Sequence, residues 1–491
     1  MSAAMKPFKQ LTLFVLYGLA AIAIALVVTY GSYLMGRADL KPWHLVHLDE
    51  EFTAAKSATV QTLDDYRRLE QRVFAQLKGE VYEKTAPEDH RLVNRFSAGS
   101  IADPTAFATD WNRTFELAVN GARGGVLMLH GLSDSPYSLR ALGERLNQQR
   151  FHIVALRLPG HGTAPSGLVH ARWEDFAAAT RIGARYLRDR IGPEAPLYIV
   201  GYSNGAALAV EYALAVLQGE KLPQVQGLIL LSPAIGVSPV AALAVWQSRL
   251  SAAPGLEKLA WNSISPEYDP YKYVSFAVNA GDQVYALTQV IDRRLAKLAG
   301  SRGVVGMPPI LAFQSVADAT VSAPAVVSML FNRLAGAEHQ VVAFDVNRHA
   351  EVQMLFLPDA APGVSELLEG PPLPFDLTVV TNAARDTQSA VALRRRPMQT
   401  VTAREEIGLR WPSGVFSLSH VALPFAPDDP VYGEHRPEKP ASVYLGRLEL
   451  LGERGLLAVS TSDVIRLRFN PFFSYMERRI LDFLKVAAAN P

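Results

Sequence analysis

From residue 123 onward the chain alternates short apolar runs with longer stretches of helical character. VLMLH, IVALRL, LYIV, GLILL, ILAF and VVAFDV follow one another, separated by segments such as NGAALAVEYALAVLQG that are rich in Ala and Leu. Continuous apolar runs joined by helical connections predict a mainly parallel sheet buried on both faces. Several runs end in loops of small and polar residues: HGLSDS, PGHG, GYSNG, SPA and SVAD. In an open sheet of this kind sites form outside the carboxyl ends of the strands, so these loops are expected to meet in space.

The pattern before residue 116 is different. In EEFTAAKSATVQTLDDYRRLEQRVFAQLKGEVY, Leu63, Tyr66, Leu69, Val73 and Leu77 recur at helical spacing among charged residues, which predicts a helix packed on the main domain. Two interruptions break the alternation downstream. About residues 233–307, opening SPAIGVSPVAALAVWQSRL and closing VYALTQVIDRRLAKLAG, form an insertion suited to a helical lid over the strand ends. The Pro- and Gly-rich stretch LPDAAPGVSELLEGPPLPF marks a second insertion, about 350–413. The expected organisation is an anchor over residues 1–36, a helical lead-in over 37–115 and a main domain over 116–491 that carries both insertions.

The anchor rests on residues 11–36, LTLFVLYGLAAIAIALVVTYGSYLMG, which contain no charge. About 20 apolar residues cross a bilayer. A cleaved signal would have a shorter apolar core followed by a small-x-small site, and TYGSYLMGRADL offers no good one. An N-terminal transmembrane helix is therefore expected. Lys6 and Lys9 precede the span while Arg37, Asp39 and Lys41 follow it, a faint bias toward a tail kept inside and a main domain on the exported, periplasmic or extracellular, side. Lys and Arg number 48 against 47 Asp and Glu, so no field draws a nucleic acid. The chain of 491 residues has no cysteine, which excludes disulfides, thiolate metal sites and a cysteine nucleophile.

Ser203 lies in GYSNG between a strand candidate, residues 197–200, and a helix candidate. A serine on so sharp a strand-to-helix turn is presented at the top of the sheet, and its neighbours must be small because backbone passes close by. A hydroxyl becomes a nucleophile only when a base takes its proton and a carboxylate orients that base. Asp318, in QSVADATV just past ILAF, supplies a carboxylate in the expected chain order; its alternative role, capping the next helix, can be filled by Ser322. Backbone N–H groups of Asn204, after the serine, and Leu132, in HGLSDS, are the candidates for stabilising an oxyanion. His130 and His161 sit in the turns HG and PGHG and read as structural.

LMLHGLSDSPYSLRALGERL, LRLPGHGTAPSGL, YIVGYSNGAALAVEYAL and ILAFQSVADATV together resemble the α/β-hydrolase superfamily, in its monoacylglycerol lipase and carboxylesterase branch, often called serine aminopeptidase-like. The resemblance covers about residues 115–350 and resumes near Gly414. It implies an α/β-hydrolase fold, with Ser203 as nucleophile, Asp318 as acid, and Leu132 with Asn204 as oxyanion donors. Two histidines compete for the base. His349, in VVAFDVNRHAEV, has the family's usual spacing from the acid; His420, in GVFSLSHVALPF, is delayed but has the family's local dress, S-x-S-H before an apolar stretch. His420 is the expected base, with the second insertion accounting for the delay. The expected activity is hydrolysis of small-molecule or lipid carboxylic esters, acylglycerol- or lysolipid-like, through an acyl-enzyme and without metal or cofactor. A thioesterase, a peptidase or a non-catalytic scaffold on the same fold are the alternatives.

Overall fold

In the computed structural model the described residues are 36–236, 253–301, 303–349, 368–438, 443–447 and 465–485, with scattered positions elsewhere. The six apolar runs become β2 (Gly124–Leu129), β3 (Phe151–Leu156), β4 (Leu197–Tyr202), β5 (Gly227–Leu231), β6 (Ile310–Ser315) and β7 (Gln340–Phe344), preceded by a short β1 (Phe115–Leu117). They belong to a ten-stranded sheet that continues through β8 (Asp376–Asn382), β9 (Ser389–Arg395) and β10 (Thr402–Arg410), in the order β1-β3-β2-β4-β5-β6-β7-β8-β9-β10. Every pairing from β3 across to β8 is parallel. β1 is antiparallel to β3, and β8, β9 and β10 form an antiparallel meander at the far edge.

Among the described residues the longer helices that flank the sheet are α1 (Leu63–Leu77), α2 (Arg140–Gln148), α3 (Trp173–Ile191), α4 (Asn204–Leu217), α5 (Val278–Leu298) and α6 (Phe473–Phe483). Although the strands read as unbroken apolar runs, their side chains alternate between two cores. Leu127, Leu129, Ile199 and Leu230 enter one with α1, α3, α4 and α5, whereas Val126, Met128, Val200 and Leu231 enter the other with α2 and α6. This double burial is why the runs carry no polar alternation.

The lead-in is part of the first core. All five periodic positions of α1 are buried, and its start is fixed by a reciprocal cap in which Thr62 Oγ1 accepts from Asp65 N (3.1 Å) while Asp65 accepts from Thr62 N (3.0 Å). Glu70 of α1 and Glu51 before it enclose the buried Arg157 guanidinium, with contacts of 2.8 to 2.9 Å. A charge buried so completely is tolerable only when paired in this way, and the pairing ties the lead-in to the loop after β3.

Both insertions differ from the expected picture. The helical end of the first is α5, which packs against α3 and α4. A parallel step from β5 to β6 requires a crossover element, and α5 supplies it. The part that reaches the strand ends is residues 264–275, where Tyr273 N donates to Ser133 O (2.8 Å) and Lys272 lies 3.8 Å from Asp134. Residues 237–250 lie outside the described residues. The second insertion, read only as an irregular stretch, contributes β8, β9 and β10 to the sheet edge.

The expected transmembrane span, residues 11–36, lies for the most part outside the described residues. Among the described residues no helix is long and apolar enough to cross a membrane. Of the few positions described within the span, Phe14, Leu16, Tyr17, Leu19 and Ile22 are each more than half exposed.

Candidate active site

β4 ends at Tyr202 and α4 begins at Asn204, so Ser203 occupies the turn alone, at φ 54° and ψ −114°. A side chain in that region stores backbone strain, roughly 1–3 kcal/mol, which the surroundings must hold. Ser203 N donates to Leu231 O (2.8 Å), and Ser203 O accepts from Ala206 N (3.1 Å) and Ala234 N (3.1 Å). The flanking glycines make the turn sterically possible. A Cβ on Gly201 would lie 2.4 Å from Gly205 O, and one on Gly205 would lie 2.0 Å from Leu129 O.

His420 meets this serine from a distant part of the chain. Its Nε2 is 3.0 Å from Ser203 Oγ and its Nδ1 is 2.8 Å from Asp318 Oδ2. With the carboxylate accepting from Nδ1–H, Nε2 is left as the acceptor for the serine hydroxyl. Asp318 is held in turn by Gln314 Nε2 on Oδ2 (3.0 Å) and by the N–H groups of Thr320 (2.8 Å) and Val321 (3.0 Å) on Oδ1. Burial pushes the Asp318 carboxyl up, but the His420 bond and charge together with those amides outweigh it and hold it below the usual carboxylate range. Ser322 caps the following turn through Ala325 N (3.2 Å), which leaves Asp318 to the histidine.

The histidine loop is stitched to three strand ends. Asn347, just past β7, donates from its backbone to Phe416 O (2.8 Å) and from Nδ2 to Val415 O (2.8 Å). Ser315 Oγ at the end of β6 donates to Leu418 O (2.6 Å), and Tyr202 OH at the end of β4 donates to His420 O (3.3 Å). The β8–β10 meander therefore leaves the end of β7 and returns to it. His349 is half-buried after β7, with its backbone N–H on Asn347 Oδ1 (3.2 Å), and the contacts to Ser203 and Asp318 belong to His420.

Among the described residues the backbone amides of Leu132 and Asn204 have no hydrogen-bond acceptor, so both are open to a developing anion. His130 accepts from Leu158 N (3.0 Å) at Nε2 and meets Gly131 O (2.8 Å) at Nδ1. Burial, with His161 nearby, lowers the pKa of His130 well below that of a free imidazole, and burial likewise brings His161 to about 4. Both rings are neutral struts of their turns. Among the described residues no cluster of three His, Cys, Asp or Glu side chains is arranged to hold a metal ion.

Four contributors were not picked out in the sequence: Tyr202, Gln314, Ser315 and Asn347. The signal available was modest. Gln314 and Ser315 are polar residues closing the apolar strand ILAF, and Asn347 is polar at the mouth of the next loop. Beside His420 lies a cleft of about 590 Å³ whose walls include Thr320, Val415, Phe416, Arg447 and Arg466.

The profile of the family described as "Serine aminopeptidase, S33" matches residues 120–352. A thermostable monoacylglycerol lipase of Bacillus sp. (strain H-257) is 27% identical over 118 residues, covering 24% of this chain and 44% of the relative's length. Among solved structures, a metagenome-derived lipolytic enzyme of the LipS and LipT pair is 23% identical, with 48% of this chain and 87% of the other covered and a TM-score of 0.38. The monoacylglycerol lipase of Paleococcus ferrophilus is 21% identical, with 47% and 88% covered and a TM-score of 0.36. With the family profile ending at residue 352, His420 falls in the part of the chain that the match does not reach. Sheet order, serine turn and the match over residues 120–352 agree on an α/β-hydrolase fold whose matched region is similar to the serine aminopeptidase, S33 family and to a monoacylglycerol lipase.

Proposed function

We propose that the protein is a serine hydrolase of carboxylic esters, acting through Ser203, His420 and Asp318. The observation that supports this reading is the unbroken run from Ser203 Oγ to His420 Nε2 (3.0 Å) and from His420 Nδ1 to Asp318 Oδ2 (2.8 Å). His420 takes the serine proton as Oγ attacks the ester carbonyl, and Asp318 stabilises the imidazolium that forms. The tetrahedral oxyanion is received by the amides of Leu132 and Asn204. His420 then protonates the leaving alcohol, and a water activated by the same imidazole releases the acid from the acyl-enzyme.

Acylglycerols or lysolipids are the proposed substrates, in keeping with the monoacylglycerol lipase match. A fluorophosphonate probe tests the chemistry, because it labels only an activated serine. Labelling is expected in the wild type and lost in Ser203→Ala with the fold retained; a labelled Ser203→Ala protein would sink the proposal. Esters of p-nitrophenol with increasing acyl length then define the acyl group, and an aminoacyl nitroanilide run alongside them tests the peptidase alternative.

The proposal extends to the uncharged residues 11–36 as a membrane anchor that leaves the main domain on the exported side. Exposed Phe14, Leu16, Tyr17, Leu19 and Ile22 support it, since such side chains call for an apolar environment. Carbonate-washed membranes should retain the protein, and protease added from the exported side should digest it. Release by carbonate, or full protection, would overturn the anchor or its orientation respectively.

A further inference from the structure

We propose that the cleft beside His420 receives the alcohol portion of the ester, and that it is built for an alcohol carrying a phosphate, held by Arg466 with Arg447. This rests on the reading of Ser203, His420 and Asp318 given above. In that chemistry the histidine gives its proton to the leaving oxygen, so the departing alcohol must lie on the His420 side of the serine. The cleft has His420 in its wall and, at about 590 Å³, is within the usual size of a small-molecule site.

Its charge points to an anion. Arg466 donates to Thr320 Oγ1 (3.0 Å) and has no carboxylate partner among the described residues, while Arg447 meets Glu434 at 3.1 Å. The Asp318 carboxylate nearby is already engaged by His420, Gln314 and two backbone amides. Two guanidinium groups thus face one available carboxylate. Arg466 is also felt at Tyr202, whose ring centroid is 5.4 Å from that of His420: burial and the Asp134 and Asp318 carboxylates push the Tyr202 phenol up, and Arg466 and Arg468 act against them. Guanidinium groups match phosphate geometry, with paired N–H donors directed at its oxygens.

The rim is apolar. Phe416 is 47% exposed and Ile465 is 63% exposed at the same cleft. A cationic wall beside exposed hydrophobic side chains fits an amphiphile with a phosphate on its alcohol, such as a 1-acylglycerol 3-phosphate. A neutral monoacylglycerol would leave Arg466 without a counterpart.

The test compares 1-acylglycerol 3-phosphate with the 1-acylglycerol of the same acyl chain, using the full chain in detergent micelles. The wild type is expected to have the higher kcat/KM for the phosphate ester. Arg466→Gln should raise its KM about tenfold and leave the neutral ester within about twofold, with Arg447→Gln a weaker copy and Arg466→Lys a partial rescue. Wild-type cleavage of both esters in a ratio that Arg466→Gln does not move would overturn this proposal alone. If the wild type cleaves neither ester and leaves a fluorophosphonate unreacted, the hydrolase reading fails and this proposal with it.

Discussion

Ser203 and His420 lie 3.0 Å apart and arrive there by opposite means. The serine is placed by its own neighbourhood: a strand ends at Tyr202, a helix begins at Asn204, and two glycines let backbone pass within van der Waals reach. The histidine is placed by residues far away in the chain. Tyr202, Ser315 and Asn347 each hold the carbonyls or backbone of residues 415–420, across separations of up to 218 residues. A site member fixed locally survives almost any insertion elsewhere. One fixed by distant clamps tolerates an insertion only when the chain returns to the point it left, as the β8–β10 meander does at Asn347.

The sharpest test of this contrast is the choice between histidines. His420→Ala is expected to lower kcat by about 10⁴-fold or more without unfolding the protein, since members of such a triad act as a unit. His349→Ala should retain most of the activity, because His349 contacts Asn347 through its backbone and not the reacting groups. Steady-state kinetics on one ester with thermal melts of both variants decide the matter. A silent His420→Ala would mean that the delayed loop is not the source of the base.

The local side of the comparison breaks at Gly205. An alanine there brings a Cβ to 2.0 Å from Leu129 O and 2.5 Å from Leu129 C, and neither is a flexible side-chain end that can move aside. The strand end that carries Leu132 must shift or the turn must open. Gly205→Ala is expected to destabilise the fold by about 3 kcal/mol, the upper part of the usual range for overpacking, and to reduce activity by shifting the amides proposed to receive the oxyanion. Denaturant unfolding measures the first effect; an unchanged midpoint would show that the turn has room the geometry denies.

How much could be read in advance follows the same division. The six apolar strands, the buried face of α1 and the serine turn all depend on residues close in sequence, so pattern and motif suffice to find them. The clamps on the histidine loop are ordinary Ser, Tyr and Asn residues whose partners come only with the fold. β8 and β9 were missed because DLTVVTN and SAVALRR mix polar and apolar positions and follow a Pro- and Gly-rich stretch that reads as irregular. The stretch that forms α5 reads as part of a lid because it closes a long insertion that follows a strand end, a place in the chain that a crossover helix shares. The parallel pairing of β5 with β6 removes that ambiguity.

Asp318 joins the two regions, and its charge makes the junction sensitive to pH. Its folded pKa is depressed, so its ionised form stabilises the fold above the ordinary carboxylate pKa, and that contribution is lost as pH falls through the lowered value. Asp318→Asn removes the charge at every pH. The stability difference between wild type and Asp318→Asn should be about 2 kcal/mol near neutrality, the scale of a hydrogen bond to a charged group, and should shrink in acid. Urea midpoints across a pH series give the answer, and a gap that widens in acid would reverse the sign argued here.

The distant side is tested most gently at Asn347. Its side chain is buried and carries three bonds: Nδ2 to Val415 O (2.8 Å), and Oδ1 from His349 N (3.2 Å) and from Asn382 Nδ2 (2.9 Å). Asn347→Ala leaves those partners unpaired but keeps the backbone bond to Phe416 O, so the loop is loosened and not released. A loss of about 1–2 kcal/mol is expected, less than three full bonds because water can reach some of the orphaned groups. The effect on turnover should be about tenfold in kcat with KM nearly unchanged, since the clamp sets where His420 stands and touches no substrate. A substitution that lowered stability by the same amount and left kcat intact would show that Ser315 and Tyr202 alone hold the histidine in register.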